Sequence, residues 1–265
     1  MVNFHKFPEL GSLCLSDVTS IIDINCDLGE GMGSDAELLN IVTSANIACG
    51  AHAGDPQTMQ HTLMLAKQRG VAAGAHPGYQ DREGFGRRPH SLSDHAMVSL
   101  VQQQIESLAE MADAINYPLS HVRAHGALGN LTDADEKAAT LLLDAMAQRP
   151  LALMTLTNSA AQRIAQQRHR PVVTQFFADR AYDDNGQLVA RSKPDSVLHD
   201  EKEIVQRLLT ALDRGILVTY TKREIPIAFD SICVHGDTPN ALSLAEKIRK
   251  VLEDSGAKVR PFVEH

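Results

Sequence analysis

Cysteine is scarce in this chain: Cys14, Cys26, Cys49 and Cys233 are all there is in 265 residues, and no two form a Cys-x-x-Cys pair. A disulfide framework is thereby excluded, and reduced thiols in the cytosol are expected. Long hydrophobic runs are also missing. No stretch approaches the roughly 20 apolar residues that span a membrane, and residues 1–20 carry neither the basic start nor the apolar segment of a secretion signal. Positive charge is in deficit, with 25 Lys and Arg against 33 Asp and Glu for a formal charge of −8. No Lys/Arg cluster forms a phosphate-binding stripe, which argues against nucleic acid. The common nucleotide and hydrolase signatures are absent too. There is no G-x-x-x-x-G-K-[ST] loop, no G-x-S-x-G elbow and no H-E-x-x-H helix, and Gly29-Glu30-Gly31-Met32-Gly33 does not match G-x-G-x-x-G. A small-molecule substrate or a protein partner remains.

What is present is a regular alternation. Apolar segments of strand length fall at Ile21–Asn25, Ser44–Cys49, Val71–Ala75, His121–Ala124, Leu151–Thr157, Val172–Phe177, Ile216–Tyr220 and Ser231–Val234. Helical patterns separate most of them. The best marked follows His52, with Asp55 as N-cap, Pro56 at the first helical position and Gly70 as stop. Others cover Ser93–Ala114, Asp133–Gln148, Ser159–Arg168, Asp200–Arg214 and Pro239–Asp254. Seven or eight repeats of strand and helix predict an α/β fold, a distorted (β/α) barrel of seven or eight strands. With 43% hydrophobic residues and no Pro/Gly/Ser-rich linker, residues 21–265 read as one domain behind a leader at 1–20.

Four of the strands run into a histidine beside glycine: Gly50-Ala51-His52-Ala53-Gly54, Gly74-Ala75-His76-Pro77-Gly78, Ala124-His125-Gly126 and Val234-His235-Gly236-Asp237. Such loops would gather the imidazoles at one end of a parallel sheet, where α/β proteins bind ligands. Asp27, Glu30 and Asp55 are carboxylates expected near the same mouth. Imidazole and carboxylate together suit either proton transfer or a divalent metal, the latter with a set such as Asp27, His52 and His125. Arg87 and Arg88, in a long polar loop, suit a carboxylate or phosphate; Asp179, Arg180 and Tyr182 follow another strand. The remaining histidines, His61 and His95 among them, read as bystanders, and the cysteines as packing residues.

Asn25-Cys26-Asp27-Leu28-Gly29-Glu30-Gly31, Asn46-Ile47-Ala48-Cys49-Gly50, His52-Ala53-Gly54-Asp55-Pro56, Gly74-Ala75-His76-Pro77-Gly78-Tyr79, Gly84-Phe85-Gly86-Arg87-Arg88, Phe177-Ala178-Asp179-Arg180-Ala181-Tyr182 and Cys233-Val234-His235-Gly236-Asp237-Thr238-Pro239 together closely resemble the LamB/YcsF family. The resemblance runs from about residue 21 to the C-terminus. It implies a barrel like that of the glycoside hydrolase/deacetylase superfamily. It also implies ATP-dependent hydrolysis of 5-oxo-L-proline to L-glutamate by a 5-oxoprolinase in which this chain is the A subunit beside subunits B and C. ATP is then a co-substrate whose binding subunit is open, as are a divalent metal and self-association. On this reading Asp27, Glu30, His52 and His125 are expected to move protons. Asn25, Asn46, Asp55, His76, Arg87, Arg123, Asp179, Arg180, His235 and Asp237 are expected to bind substrate. Departures from the family pattern include Arg123 and Gly129 within Arg123-Ala124-His125-Gly126-Ala127-Leu128-Gly129-Asn130, where the family reads Lys-Pro-His-Gly-Ala-Leu-Tyr-Asn; Gln175, where it carries glutamate; and Ala51, where it carries phenylalanine. A metal-dependent hydrolase of carbohydrate or amide, and a non-catalytic subunit of a hydrolase complex, are the competing readings.

Overall fold

The structure is a computed structural model that describes residues 3–4, 21–236 and 240–264. Most of the leader, Cys14 and Asp237 lie outside the described residues. A two-residue strand β1 (Asn3–Phe4) comes first, followed by β2 (Ile21–Leu28), α1 (Asp35–Leu38), β3 (Ser44–Ala48), α2 (Pro56–Arg69), β4 (Ala72–His76), α3 (Asp94–Ala114), β5 (His121–Val122), α4 (Gly126–Ala134), α5 (Glu136–Ala145), β6 (Ala152–Leu156), α6 (Ala160–Gln167) and β7 (Val172–Phe177). The chain continues through α7 (Glu201–Arg214), β8 (Ile216–Val218), β9 (Glu224–Pro226), β10 (Ser231–Val234), α8 (Ala241–Asp254), β11 (Lys258–Val259) and β12 (Val263–Glu264). Parallel pairing runs in the order β2-β3-β4-β5-β6-β7-β10 and closes from β10 back to β2, a seven-stranded (β/α) barrel among the described residues. No helix among them is long and apolar enough to cross a membrane.

The predicted strand Ile216–Tyr220 does not enter the barrel. Its first three residues form β8, which pairs antiparallel with β9 as a separate hairpin, and Val218 and Tyr220 face solvent. The helix predicted over Asp133–Gln148 is two helices, and α4 starts several residues earlier than the pattern suggests, right after His125. Gly126 and Gly129 hide it, since glycine weakens helix propensity. Both are sterically required: a Cβ at Gly126 would lie 2.6 Å from the Gly86 carbonyl oxygen, and one at Gly129 2.5 Å from that of Ala124. The other helices keep their sequence signals. Asp55 caps α2 by accepting from the Thr58 N–H at 2.8 Å, Ser93 and Ser159 cap α3 and α6, and Gly70 and Gly215 end α2 and α7 in the left-handed conformation.

β2 shows how the barrel is filled. A strand alternates its side chains, and here Ile22, Ile24, Cys26 and Leu28 join the large apolar cluster that the helices cover. Asp23, Asn25 and Asp27 turn the other way and are all buried. They open a polar ladder through the barrel. Thr43 and Ser44 hydroxyls each donate to Asp23 at 2.6 Å, and Ser231 donates to its second oxygen. Asn25 donates to Ser231 at 2.7 Å; Asn46 donates to Asn25 at 2.9 Å and to Asp27 at 3.0 Å; His121 Nε2 meets Asn46 Oδ1 at 2.8 Å. Gly74 makes room for that imidazole, since a Cβ there would lie 2.3 Å from its ring. A second apolar cluster, with Phe262 and Val263 against Ala72, Ala152, Met154 and Val173, packs beside His121.

Burial pushes the Asp23 carboxyl up to about 6 although the three hydroxyls oppose it. A carboxyl raised in the folded state stabilises it fully below the ordinary value near 3.8, and that contribution is lost as pH rises through about 6. Relative to an Asp23→Asn variant, the native chain should therefore gain about 3 kcal/mol between about pH 7 and about pH 3.5. Urea denaturation of both chains across that range reads the difference. A pH-independent offset would mean that Asp23 ionises normally.

Candidate functional site

The loops at the C-terminal ends of the barrel strands bring seven buried polar residues together: Asp27 at the end of β2, Glu30 after it, His52 after β3, His76 closing β4, Arg123 and His125 after β5, and His235 after β10. Arg123 Nη1 donates to Asp27 Oδ1 at 2.5 Å and its guanidinium lies 5.0 Å over the Phe177 ring. Burial alone would raise Asp27, but Arg123 and then His76 hold its carboxyl well below the usual range. Asp179 accepts from His235 Nδ1 at 2.8 Å, and although burial opposes it, that imidazole keeps the carboxyl lowered.

The histidines form a compact group. His52 Nε2 lies 3.0 Å from Glu30 Oε1. His76 Nδ1 donates to the Arg123 carbonyl at 2.7 Å, and His125 Nε2 donates to the Phe85 carbonyl at 2.8 Å, because a carbonyl oxygen only accepts. Their other nitrogens, His76 Nε2 and His125 Nδ1, face each other at 2.9 Å. The His52 and His125 rings stack in parallel at 3.8 Å. Burial pushes His52 down to about 2, and burial with His76 and His52 pushes His125 well below the ordinary imidazole range. Glu30, His52, His76 and His125 each offer one donor atom within 4.8 Å of the others, so this group has the atoms to hold a metal ion; Asp27, Cys233 and His235 make a second such group.

A cavity of about 920 Å³ opens over this floor, lined by Asp27, Glu30, His125 and His235 and, on the walls, by Arg87 and Arg180. Its size is at the upper end of small-molecule pockets. Arg180 is buried and holds the Val189 and Ser196 carbonyls. Asn25 and Asn46 lie under Asp27 in the interior ladder and do not line the cavity. Asp55 also stays away: it is exposed and spends its carboxylate on the α2 cap, so its place in the expected substrate set is corrected. Arg88 pairs with Glu83 at the surface. Cys26 and Cys49 are buried, and burial drives their thiols up, Cys49 to about 12, which leaves no thiolate near neutrality.

Two features of the site were not assigned by sequence reasoning. Gln175, on β7, lines the cavity with a buried Oε1 that has no hydrogen-bond partner. Gly78 and Gly86 brace the histidine stack: a Cβ at Gly78 would lie 2.7 Å from His52 Nδ1, and one at Gly86 2.8 Å from His52 Cβ and 2.9 Å from His125 Cδ2. Gln104 fixes Gly78 with bonds to both its N–H and its carbonyl. The glycines in the histidine and arginine motifs were the available signal.

A closed barrel with a polar, histidine-rich mouth places the chain in the (β/α)-barrel class that also contains deacetylases and glycoside hydrolases; the family 4 carbohydrate esterase from Streptomyces lividans shares the fold at a TM-score of 0.50 and 15% identity, over 92% of this chain and 93% of that one. Within that class the chain belongs to the LamB/YcsF family, whose model matches residues 22–265. It is 44% identical to the A subunit of 5-oxoprolinase from Nitrobacter hamburgensis over 91% of this chain and 98% of the relative. The crystal structure of a lactam utilization protein from Thermus thermophilus matches at a TM-score of 0.82 and 37% identity, over 90% of this chain and 98% of that one.

Gly78→Ala and Gly86→Ala should each retain cooperative unfolding while displacing the stacked imidazoles. Histidine ring signals in two-dimensional NMR check this, with His52 and His125 shifted and His121 unchanged. Unshifted His52 and His125 signals would mean that the stack tolerates a methyl group.

Proposed function

We propose that this chain is the A subunit of an ATP-dependent 5-oxoprolinase of the cytosol, acting with subunits B and C on 5-oxo-L-proline. The observation that carries the reading is the 44% identity to the A subunit of a 5-oxoprolinase, over nearly the whole of that relative. The site's chemistry supports it. A five-membered lactam is a resonance-stabilised amide, so water attacks it slowly until its oxygen carries a phosphoryl group from ATP. One activated water then opens the ring as the nitrogen leaves with a proton, giving an acyl phosphate, and a second water releases phosphate and glutamate; the site needs a base for the waters, an acid for the nitrogen and cations for carboxylate and phosphate.

In this reading Arg87 and Arg180 on the cavity wall receive the anionic groups. The unpartnered Gln175 Oε1 accepts the lactam N–H. The Glu30–His52–His76–His125 group activates water and handles the nitrogen's proton. Asp27, held ionised by Arg123 and bonded by Asn46, serves as a fixed negative charge that aims the guanidinium at the cavity floor.

The test is ATP-dependent glutamate release from 5-oxo-L-proline by this chain alone and in mixture with candidate B and C subunits. Glutamate in the mixture and none from the isolated chain is the expected result. Asp27→Asn should lower turnover at least ~100-fold with the complex still assembled. Gln175→Ala should raise KM about tenfold, the loss of one hydrogen bond to a substrate amide. Full turnover of the assembled complex with both Asp27→Asn and His125→Ala would leave the chain a scaffold only.

A further inference from the structure

We propose that Glu30, His76 and His125 form a three-ligand site for a divalent cation of the zinc class, with its fourth position open to the cavity. Proton placement sets the problem. His76 Nδ1 and His125 Nε2 must carry hydrogens, since each meets a backbone carbonyl oxygen, at 2.7 and 2.8 Å. In neutral rings His76 Nε2 and His125 Nδ1 are then both bare lone pairs, yet they stand 2.9 Å apart. Two acceptors at that distance repel unless something positive is shared between them. The choice is an extra proton or a metal ion.

The surroundings favour the ion. Glu30 Oε1 lies 3.4 Å from His125 Nδ1 and 3.9 Å from His76 Nε2. The three separations bracket the ~3.3 Å edge of a tetrahedron with metal–ligand bonds of ~2.05 Å. A single proton serves one pair of atoms; a cation serves all three. The carbonyl-tethered N–H on each histidine is the support that metal-bound imidazoles have, because it fixes the tautomer and the ring's direction. Arg123 Nη1 also approaches His76 Nε2, at 3.3 Å, but its short bond goes to Asp27, which balances its charge.

His52 is the outer partner in this arrangement. Its ring is parallel to that of His125 at 3.8 Å, so one ion cannot lie in both ring planes, the direction of an imidazole lone pair. Its Nε2 instead donates to Glu30 Oε1 and orients the carboxylate. Glu30 and His125 line the cavity, so the open position faces it. A cation there would lower the pKa of a bound water toward neutrality or polarise a carbonyl.

Metal uptake is measured without lactam, ATP or partner subunits, so its outcome is separate from that of the hydrolase reading. The isolated full chain is stripped with dipicolinate, then titrated with zinc by competition against a chromophoric chelator and with cobalt by visible absorption. The expected result is about one zinc per chain and a cobalt spectrum of four-coordinate intensity. His76→Ala, His125→Ala and Glu30→Gln should each weaken zinc at least ~100-fold, His52→Gln about tenfold, and His95→Ala, at an exposed position in the first turn of α3, should leave it unchanged. If a ligand variant does not fold, the native chain still decides: zinc should raise the stripped chain's thermal midpoint. Failure of the stripped native chain to take up zinc or cobalt overturns the proposal and assigns the 2.9 Å contact to a shared proton. Zinc loss from His52→Gln as severe as from His125→Ala overturns the three-ligand assignment.

Discussion

The Asp27–Arg123 ion pair is the constraint around which this barrel is arranged. Two charges are taken out of water at the top of a protein interior, and either alone would be left uncompensated at a cost of about 3–5 kcal/mol. The chain meets that demand with a hydrogen-bonded column. Asn46 donates to Asp27 and to Asn25, Asn25 donates to Ser231, and Ser231 donates to Asp23. Each acceptor in the column is matched to a donor on a neighbouring strand, so the polar filling also specifies strand register. A one-residue slip of β2 would send Asp23, Asn25 and Asp27 into the apolar layer under the helices.

The same pair links the interior to the mouth. Arg123 Nη1 touches both Asp27 and His76, His76 meets His125, and His125 lies under the Phe85 carbonyl. The loop bearing Phe85 is held by Asp81, which accepts from the Gly84 N–H and, through its carbonyl, from that of Gly86. Loop geometry and side-chain chemistry are thus one network. Glycine appears where that network leaves no space, at Gly78, Gly86, Gly126 and Gly129, each of which would place a Cβ within 3.0 Å of another group.

Much of this was legible in the chain. Alternation of strand and helix predicted the barrel, the cap at Asp55 and the helix starts placed at Ser93, Ser159 and Asp200 fall within a residue of the observed helices, and four histidine-glycine motifs pointed to one mouth, where all four imidazoles lie. The misses have physical causes. Ile216–Tyr220 has strand composition, but pattern alone does not distinguish a barrel strand from a hairpin strand, and exposure of Val218 shows that the helices do not cover it. Helix α4 was hidden because its glycines answer tertiary crowding rather than local propensity. Asp55 carries both a cap signal and a site signal; only packing shows that the cap uses it. The sharing of His76 between Arg123 and His125 depends on distances between strands, which no spacing along the chain encodes.

The departures at Arg123 and Gln175 make sense together. A cation in this position needs a buried counter-charge, and Asp27 supplies it at 2.5 Å, with the Phe177 ring covering the guanidinium face. Arginine differs from lysine here in its planar face, which stacks on the Phe177 ring, while the contacts to Asp27 and His76 both come from Nη1. With Asp27 already balancing Arg123, a second carboxylate at position 175 would add an uncompensated negative charge at a residue only 3% exposed beside the cavity. Glutamine keeps the carbonyl and removes the charge. The cavity wall thereby becomes less repulsive to an anion, while the unpartnered Oε1 retains the capacity to accept an N–H.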